Sequence, residues 1–187
     1  MRRLVLCLLL VPWDAGGGEI LESSIAVEDG QYRVAVTARI DAPPRVVYDT
    51  ITDYPDLPEV TPAIIAAEVL QVLGPRRHRI ETITEACILI FCKRVKQVQD
   101  VEQRDAWRIE AVTLPGVSDF KSGLARWRLV PVEGGTELHF TQRFEPDFWV
   151  PAVIGPWMIE RLLLKEVRAT TAYIERRHAG DLSNGGE

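Results

Sequence analysis

Between Gln31 and Glu145 the chain switches between apolar and polar positions mostly with a period of two. The first clear run is QYRVAVTARI, where Tyr32, Val34, Val36, Ala38 and Ile40 share one face and Arg33, Ala35, Thr37 and Arg39 the other. That alternation predicts a strand with one buried side. In DAPPRVVYDTITD, Asp41 is a candidate cap, and Pro43 and Pro44 set the entry to a short helix over Arg45 to Thr52. Asp53 to Pro62 holds three prolines and reads as a turn with at most one helical turn in it. Ala63 to Leu73 could be helix or strand by composition, and its neighbours favour a strand ended by Gly74-Pro75.

Further alternating runs follow at RRHRIETITEACILIF, at Lys93 to Gln103, from Trp107 to Thr113, from Lys121 to Pro131, and from Thr136 to Phe144. Arg104-Asp105 reads as a two-residue hairpin link, PGVSDF as a turn, and Glu133-Gly134-Gly135 as a strong hairpin signal. From Pro156 to Arg177 the period changes: Ile159, Leu163, Val167, Thr170 and Ile174 recur at steps of three and four. Proline suits the first turn of a helix, and Gly180 with the polar tail DLSNGGE ends the pattern. One strand, two short helices, six strands and a long helix give an α+β order. Strands joined by tight turns pair antiparallel, and the long amphipathic helix needs the resulting sheet to cover its stripe.

The 187 residues suit one domain. A formal net charge of −5 gives no general pull toward nucleic acid, and none is expected as a partner. The first stretch stands apart. Arg2 and Arg3 precede the apolar run Leu4 to Val11, followed by Pro12 and small residues around Ala15 to Gly18. This is the layout of a secretory signal, and the run is too short to span a bilayer as a helix. The expected organisation is a signal over 1–18, a domain over 19–179 and a disordered tail over 180–187. The expected location is export to the periplasm, or the cytoplasm if the segment is not a signal.

ARIDAPPRVVYDTITDYPDLPEV and FKSGLARWRLVPVEGGTELHFTQRFE carry a family resemblance. Val47, Tyr48, Ile51, Asp53, Tyr54 and Leu57 in the first, with Trp127, Leu129, Pro131, Gly135, Thr136, Leu138, Phe140, Phe144 and Glu145 in the second, match the START-like superfamily. This is also called the Bet v 1-like or helix-grip fold. The nearest resemblance is to polyketide cyclase/coenzyme Q-binding START-like proteins, over Gln31 to about Arg177. It implies a curved seven-stranded antiparallel sheet wrapped around the C-terminal helix, two short helices after strand one, and a hydrophobic cavity between sheet and helix. Such proteins bind quinones, sterols, lipids or polyketides; some close polyketide rings, and some act on ribosomes as toxins. The family is defined by shape and hosts many functions, so the resemblance speaks to fold before chemistry.

Given that cavity, Trp107, Trp127, Phe140, Phe144, Trp157 and Leu163 are the expected ligand-lining residues, being apolar and on inward parity. The expected ligand is a hydrophobic small molecule, held by burial of apolar surface at roughly 25 cal/mol per Å². The alternatives are a cyclase or dehydratase, and an interaction protein of the ribosome-toxin type, which an export signal would rule out. Asp119, Arg126, Arg128 and Arg143 are the charged residues a cyclase would recruit, with a solvated outer face as the simpler reading. His78, His139 and His178 are scattered and form no catalytic or metal cluster, so neither metal nor cofactor is expected. Cys87 and Cys92 would lie ~16–17 Å apart on one extended strand. Across a hairpin tip at Ile88 to Phe91 they could bond; otherwise they are two small strand hydrophobes. Phe148, Trp149, Val150, Val153, Ile154, Trp157 and Met158 read either as packing at the helix entrance or as a pocket rim touching a membrane surface.

Overall fold

In the computed structural model, residues 18–88, 91–150 and 155–184 are described. Eight strands form one antiparallel sheet: β1 (Glu19–Glu28), β2 (Gln31–Ile40), β3 (Ile64–Gly74), β4 (Arg77–Ile88), β5 (Phe91–Gln103), β6 (Arg108–Thr113), β7 (Phe120–Val132) and β8 (Gly135–Pro146). Their order across the sheet is β1-β2-β8-β7-β6-β5-β4-β3. After β2 the chain leaves through helix α1 (Pro44–Thr52), a 3-10 turn (Tyr54–Asp56) and helix α2 (Leu57–Val60), and returns as β3 at the far edge. The long helix α3 (Gly155–Asn184) closes the chain. Sheet and helix have the helix-grip arrangement, with eight strands where seven were expected.

The added strand is β1. It is joined to β2 through Asp29 and Gly30, both at positive φ (49° and 79°). Asp-Gly is the dipeptide that reaches this conformation most easily, and two positive φ values match the twist of a tight hairpin. Glu133-Gly134 makes the β7–β8 turn, with Gly134 at φ 77°. Gly135 follows for a different reason: a Cβ there would stand 2.2 Å from the carbonyl oxygen of Ile40. The next residue, Thr136, is fully buried and donates to the carbonyl of Ala42 at 2.7 Å, tying β8 to the exit of β2.

Three local expectations change. Asp41 does not cap α1; Pro43 holds the cap position without a side-chain bond, and the Asp41 N–H donates to the Glu175 carboxylate at 3.0 Å. The β5–β6 link is longer than two residues because the Asp105 carboxylate accepts from the Trp107 N–H (2.8 Å) and the Arg108 guanidinium (2.6 Å), folding a local turn. Gly180 does not end α3: it is absent from the positive-φ glycines among the described residues, and the helix continues to Asn184. Residues 185–187 of the expected tail, residues 1–17 of the expected signal, and Leu89, Ile90, Val153 and Ile154 lie outside the described residues.

The buried core has two joined parts. Ile40, Ala42, Val47, Leu129, Leu138 and Ile174 pack where α3 meets β2 and α1. Tyr54, Ile80, Val101, Ile109, Ala111 and Ala125 pack over the middle of the sheet, and Tyr48, Ile51 and Trp127 touch both parts. On the outer face, ion pairs run across strands. Arg79 and Asp100, register partners on β4 and β5, make a two-pronged pair at 2.7 and 2.9 Å. The Arg79 hydrogen bonds hold the Asp100 carboxyl below its ordinary range. A carboxyl depressed by folding adds stability that is present above its unfolded pKa of about 4 and is lost as pH falls through the folded value. The urea midpoint of Asp100→Asn should therefore fall less steeply on acidification than that of the wild type; equal slopes would show that the pair carries no pH-dependent stability.

Candidate functional site

Between the inner face of the sheet and α3 lies a cavity of about 700 Å³. This falls within the roughly 300–1,000 Å³ common for small-molecule sites. Its floor is the inward parity of consecutive strands: Ile80 and Thr82 on β4, Val95 and Val101 on β5, Ile109 and Ala111 on β6, Ala125 and Trp127 on β7, Phe140 and Phe144 on β8. Its roof is Met158, Ile159, Leu162, Val167 and Thr170 of α3. Cys92, Lys93 and Trp149 also line it and are exposed, so this end faces solvent.

Aromatic rings frame the floor. Trp127 and Phe140, partners across β7 and β8, sit 5.2 Å apart and tilted. Tyr32 stacks on Phe144 at 5.2 Å, Phe120 meets Phe144 edge-on at 5.8 Å, and Phe148 meets Phe120 at 6.2 Å. The Lys93 ammonium lies 4.4 Å from the Phe148 ring centre, close enough for a cation–π contact at the open end.

Among the six residues expected to line the cavity, Trp127, Phe140 and Phe144 do so; Trp107, Trp157 and Leu163 lie outside the lining. The turn at Asp105 ends before β6 begins, which leaves Trp107 in the link and 37% exposed. Trp157 is 59% exposed, with Arg161 stacked 5.6 Å from its ring centre. Leu163 gives way to Leu162 because Glu166 occupies the inward stripe, in steps of three and four with Ile159, Leu162, Thr170 and Ile174. A stripe traced through Ile159, Leu163 and Val167 skips Glu166 and picks the wrong leucine. Trp149 (83% exposed) and Trp157 are the surface aromatics on which contact with a membrane would rest. No helix among the described residues is long and apolar enough to cross a membrane.

The polar part of the cavity departs from the sequence expectation. Gln97 and Gln99, both on the inward parity of β5, donate their amides to the Thr113 hydroxyl at 2.8 and 3.5 Å. Room for Thr113 comes from β7, where a Cβ on Gly123 would stand 2.2 Å from the Thr113 Oγ1. Gln142, Thr82 and Thr84 add further uncharged groups. The signal was the parity of KRVKQVQDV, where Lys93, Val95, Gln97, Gln99 and Val101 share a face, in a stretch that reads as a polar strand with modest apolar anchors.

Among the described residues, two charged residues line the cavity, Lys93 at its open end and Glu166 on α3. The Glu166 carboxylate accepts from the Ala63 N–H at 2.8 Å. Burial raises the Tyr54 phenol's pKa, which keeps it protonated, and its oxygen accepts from Gln103 at 3.3 Å. Asp119 accepts from the Lys96 N–H at 2.7 Å, and Arg126 pairs with Glu110 at 2.8 Å, both away from the lining. His139 meets Glu137 at 2.8 Å, also outside the lining. Among the described residues no three His, Cys, Asp or Glu side chains come together as a metal site. Cys92 is disulfide-bonded, and the residue opposite it in the β4–β5 register is Cys87.

An antiparallel sheet gripping a C-terminal helix around an apolar chamber defines a small-molecule-binding class of α+β protein. The chain belongs to the polyketide cyclase / dehydrase and lipid transport family, whose model matches residues 31–177. No curated relative matches the sequence. Its fold is similar to that of TTHA0849 of Thermus thermophilus, at 22% identity and a TM-score of 0.63, covering 79% of this chain and 97% of that one. It is also similar to the Zhui aromatase/cyclase of Streptomyces sp. R1128, at 14% identity and a TM-score of 0.65 over 83% and 98% of the two chains. A STAR-related lipid transfer protein of Xanthomonas axonopodis matches at 15% identity and a TM-score of 0.59 over 83% and 99%.

The cavity can be closed from both walls. Val95→Trp combined with Leu162→Trp should weaken binding of the neutral dye N-phenyl-1-naphthylamine by roughly ten-fold or more, about 1.4 kcal/mol. Val112→Trp, at an exposed position outside the lining, should leave dye titrations unchanged. Equal affinities in both variants would show that the dye does not enter the chamber.

Proposed function

We propose that the protein binds a hydrophobic small molecule in the sheet–helix cavity and holds or carries it without chemical change. The observation that carries this reading is the cavity's lining: aromatic and aliphatic walls with uncharged amides and hydroxyls, Lys93 at the open end, and, among the described residues, a sole carboxylate already bonded to backbone. Burial of apolar surface supplies the affinity, and the neutral polar groups select among ligands without a poised acid or base. A second reading, ring closure of an oxygenated substrate, is favoured by Gln97, Gln99 and Thr113, which can orient oxygen atoms within the chamber. Quinones, sterols, acyl lipids and aromatic polyketides are the ligand classes that fit these walls.

Native protein should yield a stoichiometric ligand on organic extraction and mass spectrometry. On reloading and incubation, a carrier returns that ligand at unchanged mass, and an enzyme returns product. Protein that is empty, and that takes up none of these ligand classes, would overturn both readings.

The compartment is proposed as the periplasm. The layout of residues 1–18 supports export, and a disulfide at Cys92 suits an oxidising environment. Protein recovered from the cell envelope should lack the first segment by intact mass and show no free thiol at Cys92 before reduction. Full-length protein with reactive thiols, confined to the cytoplasm, would refute export.

A further inference from the structure

The outer face of the sheet carries a second depression, of about 440 Å³, on the side away from α3. Two parallel rows of cross-strand partners build it. The first runs Ala26, Arg33, Arg143, Leu124 from β1 through β2 and β8 to β7; the second runs Ser24, Ala35, Thr141, Arg126 over the same strands. All eight residues line the depression. The small side chains of Ser24, Ala26, Ala35 and Thr141 leave the space, and Arg33, Arg143 and Arg126 surround it.

This placement of charge is unusual on physical grounds. Arg33 and Arg143 are direct register partners, and like charges directly opposite each other on a sheet repel. The nearby carboxylates are already engaged: Glu28 pairs with Arg33 at 3.0 Å, Glu110 pairs with Arg126 at 2.8 Å while also holding Arg104, and Glu145, two residues along β8 from Arg143, pairs with Lys121 at 3.1 Å. Arg143, in the centre, has no ion-pair partner among the described residues. A cluster of guanidiniums with an uncompensated centre, on a chain of net charge −5, is a local field for an anion. The planar forks of arginine match the oxygen spacing of phosphate, and the hydroxyls of Ser24 and Thr141 add neutral donors. Half of the floor, Ser24 and Ala26, comes from β1, which lies outside the span matched by the family.

We propose that this depression is a second binding site, separate from the sheet–helix cavity, for a phosphate-bearing molecule. The phosphate can belong to a soluble ester or to a lipid headgroup. The test titrates isotope-labelled full chain with inorganic phosphate at constant ionic strength and follows backbone amides and arginine Nε–H groups by NMR.

Saturable shifts should centre on Ser24, Ala35, Thr141 and Arg143. Arg143→Gln should weaken binding by roughly ten-fold or more, in keeping with loss of a charge-assisted pair. Arg45→Gln removes the same charge from a side chain 84% exposed on α1 and should change nothing. Shifts spread over all exposed arginines, or equal losses in the two variants, would overturn the site. Sedimentation with phosphatidylcholine vesicles containing phosphatidic acid identifies the source. Vesicle binding that Arg143→Gln removes assigns the phosphate to a lipid; phosphate binding without vesicle binding assigns it to a soluble ester.

Discussion

α3 is fastened to the rest of the fold along its middle, from Glu166 to Glu175, and roofs the cavity with the turns before. Glu166 accepts from the Ala63 N–H, Glu175 accepts from the Asp41 N–H, and Thr170 donates to the Val60 carbonyl at 3.3 Å while meeting the Thr61 hydroxyl at 3.1 Å. These four partners are the ends of β2 and α2 and the approach to β3, so the helix is bonded to the segments that leave and re-enter the sheet. Thr171 and Ile174 are fully buried beside them. A Cβ on Gly18 would stand 2.6 Å from the Thr171 Cβ, which shows how closely the chain passes there. The principal backbone approaches of α3 are to β1, β2, α1 and α2. Its first turns, with Met158, Ile159 and Leu162, roof the chamber over the strands beyond.

A single sheet thereby serves two solvents. Its inner parity lines an apolar chamber, and its outer parity carries ion pairs such as Arg79–Asp100 and Arg126–Glu110. The period of two makes this division sharp, because each residue step along a strand changes face. Bulges blur it, and the register shifts lie in the edge strands β1 and β3 and at the start of β7, between Phe120 and Ser122, which leaves Ala125 and Trp127 in regular register with β8. The register from β4 to β6 and from β2 to β8 is unbroken, which keeps Val95, Gln97, Gln99 and Val101 aimed at the chamber along the whole of β5.

The division was readable in the sequence where hydrophobicity and face agree. Tyr32 to Ile40 and Leu138 to Phe144 alternate cleanly, and the paired prolines, the Gly-Gly-Thr turn and the terminal helix set the order of elements, so sheet and helix were legible. The pattern failed where a polar residue faces inward for a structural reason. Glu166 answers a backbone N–H, and Gln97 and Gln99 answer Thr113 across a gap left by Gly123. None of those partners is near in sequence, so no local pattern announces them. β1 was overlooked for the opposite reason. As an edge strand it is largely exposed and alternates weakly, although Asp29-Gly30 carried a hairpin signal strong enough to locate it.

The polar positions of the chamber floor also bear on how one fold can serve carriers and enzymes. A carboxylate placed among Trp127, Phe140 and Val101 would meet a desolvation cost that raises its pKa, the condition a general acid or base requires. A glutamine at the same depth has no charge to lose, and its amide protons are already shared with Thr113. Its cost is that of a buried amide with a hydrogen bond, which is small compared with that of a buried ion. Inward positions on β5 can thus move between orienting a ligand and transferring its protons by exchange of a few side chains, while the aromatic frame and the bonds that hold α3 stay the same. In this chain those positions hold Gln97 and Gln99, whose amides bond to Thr113.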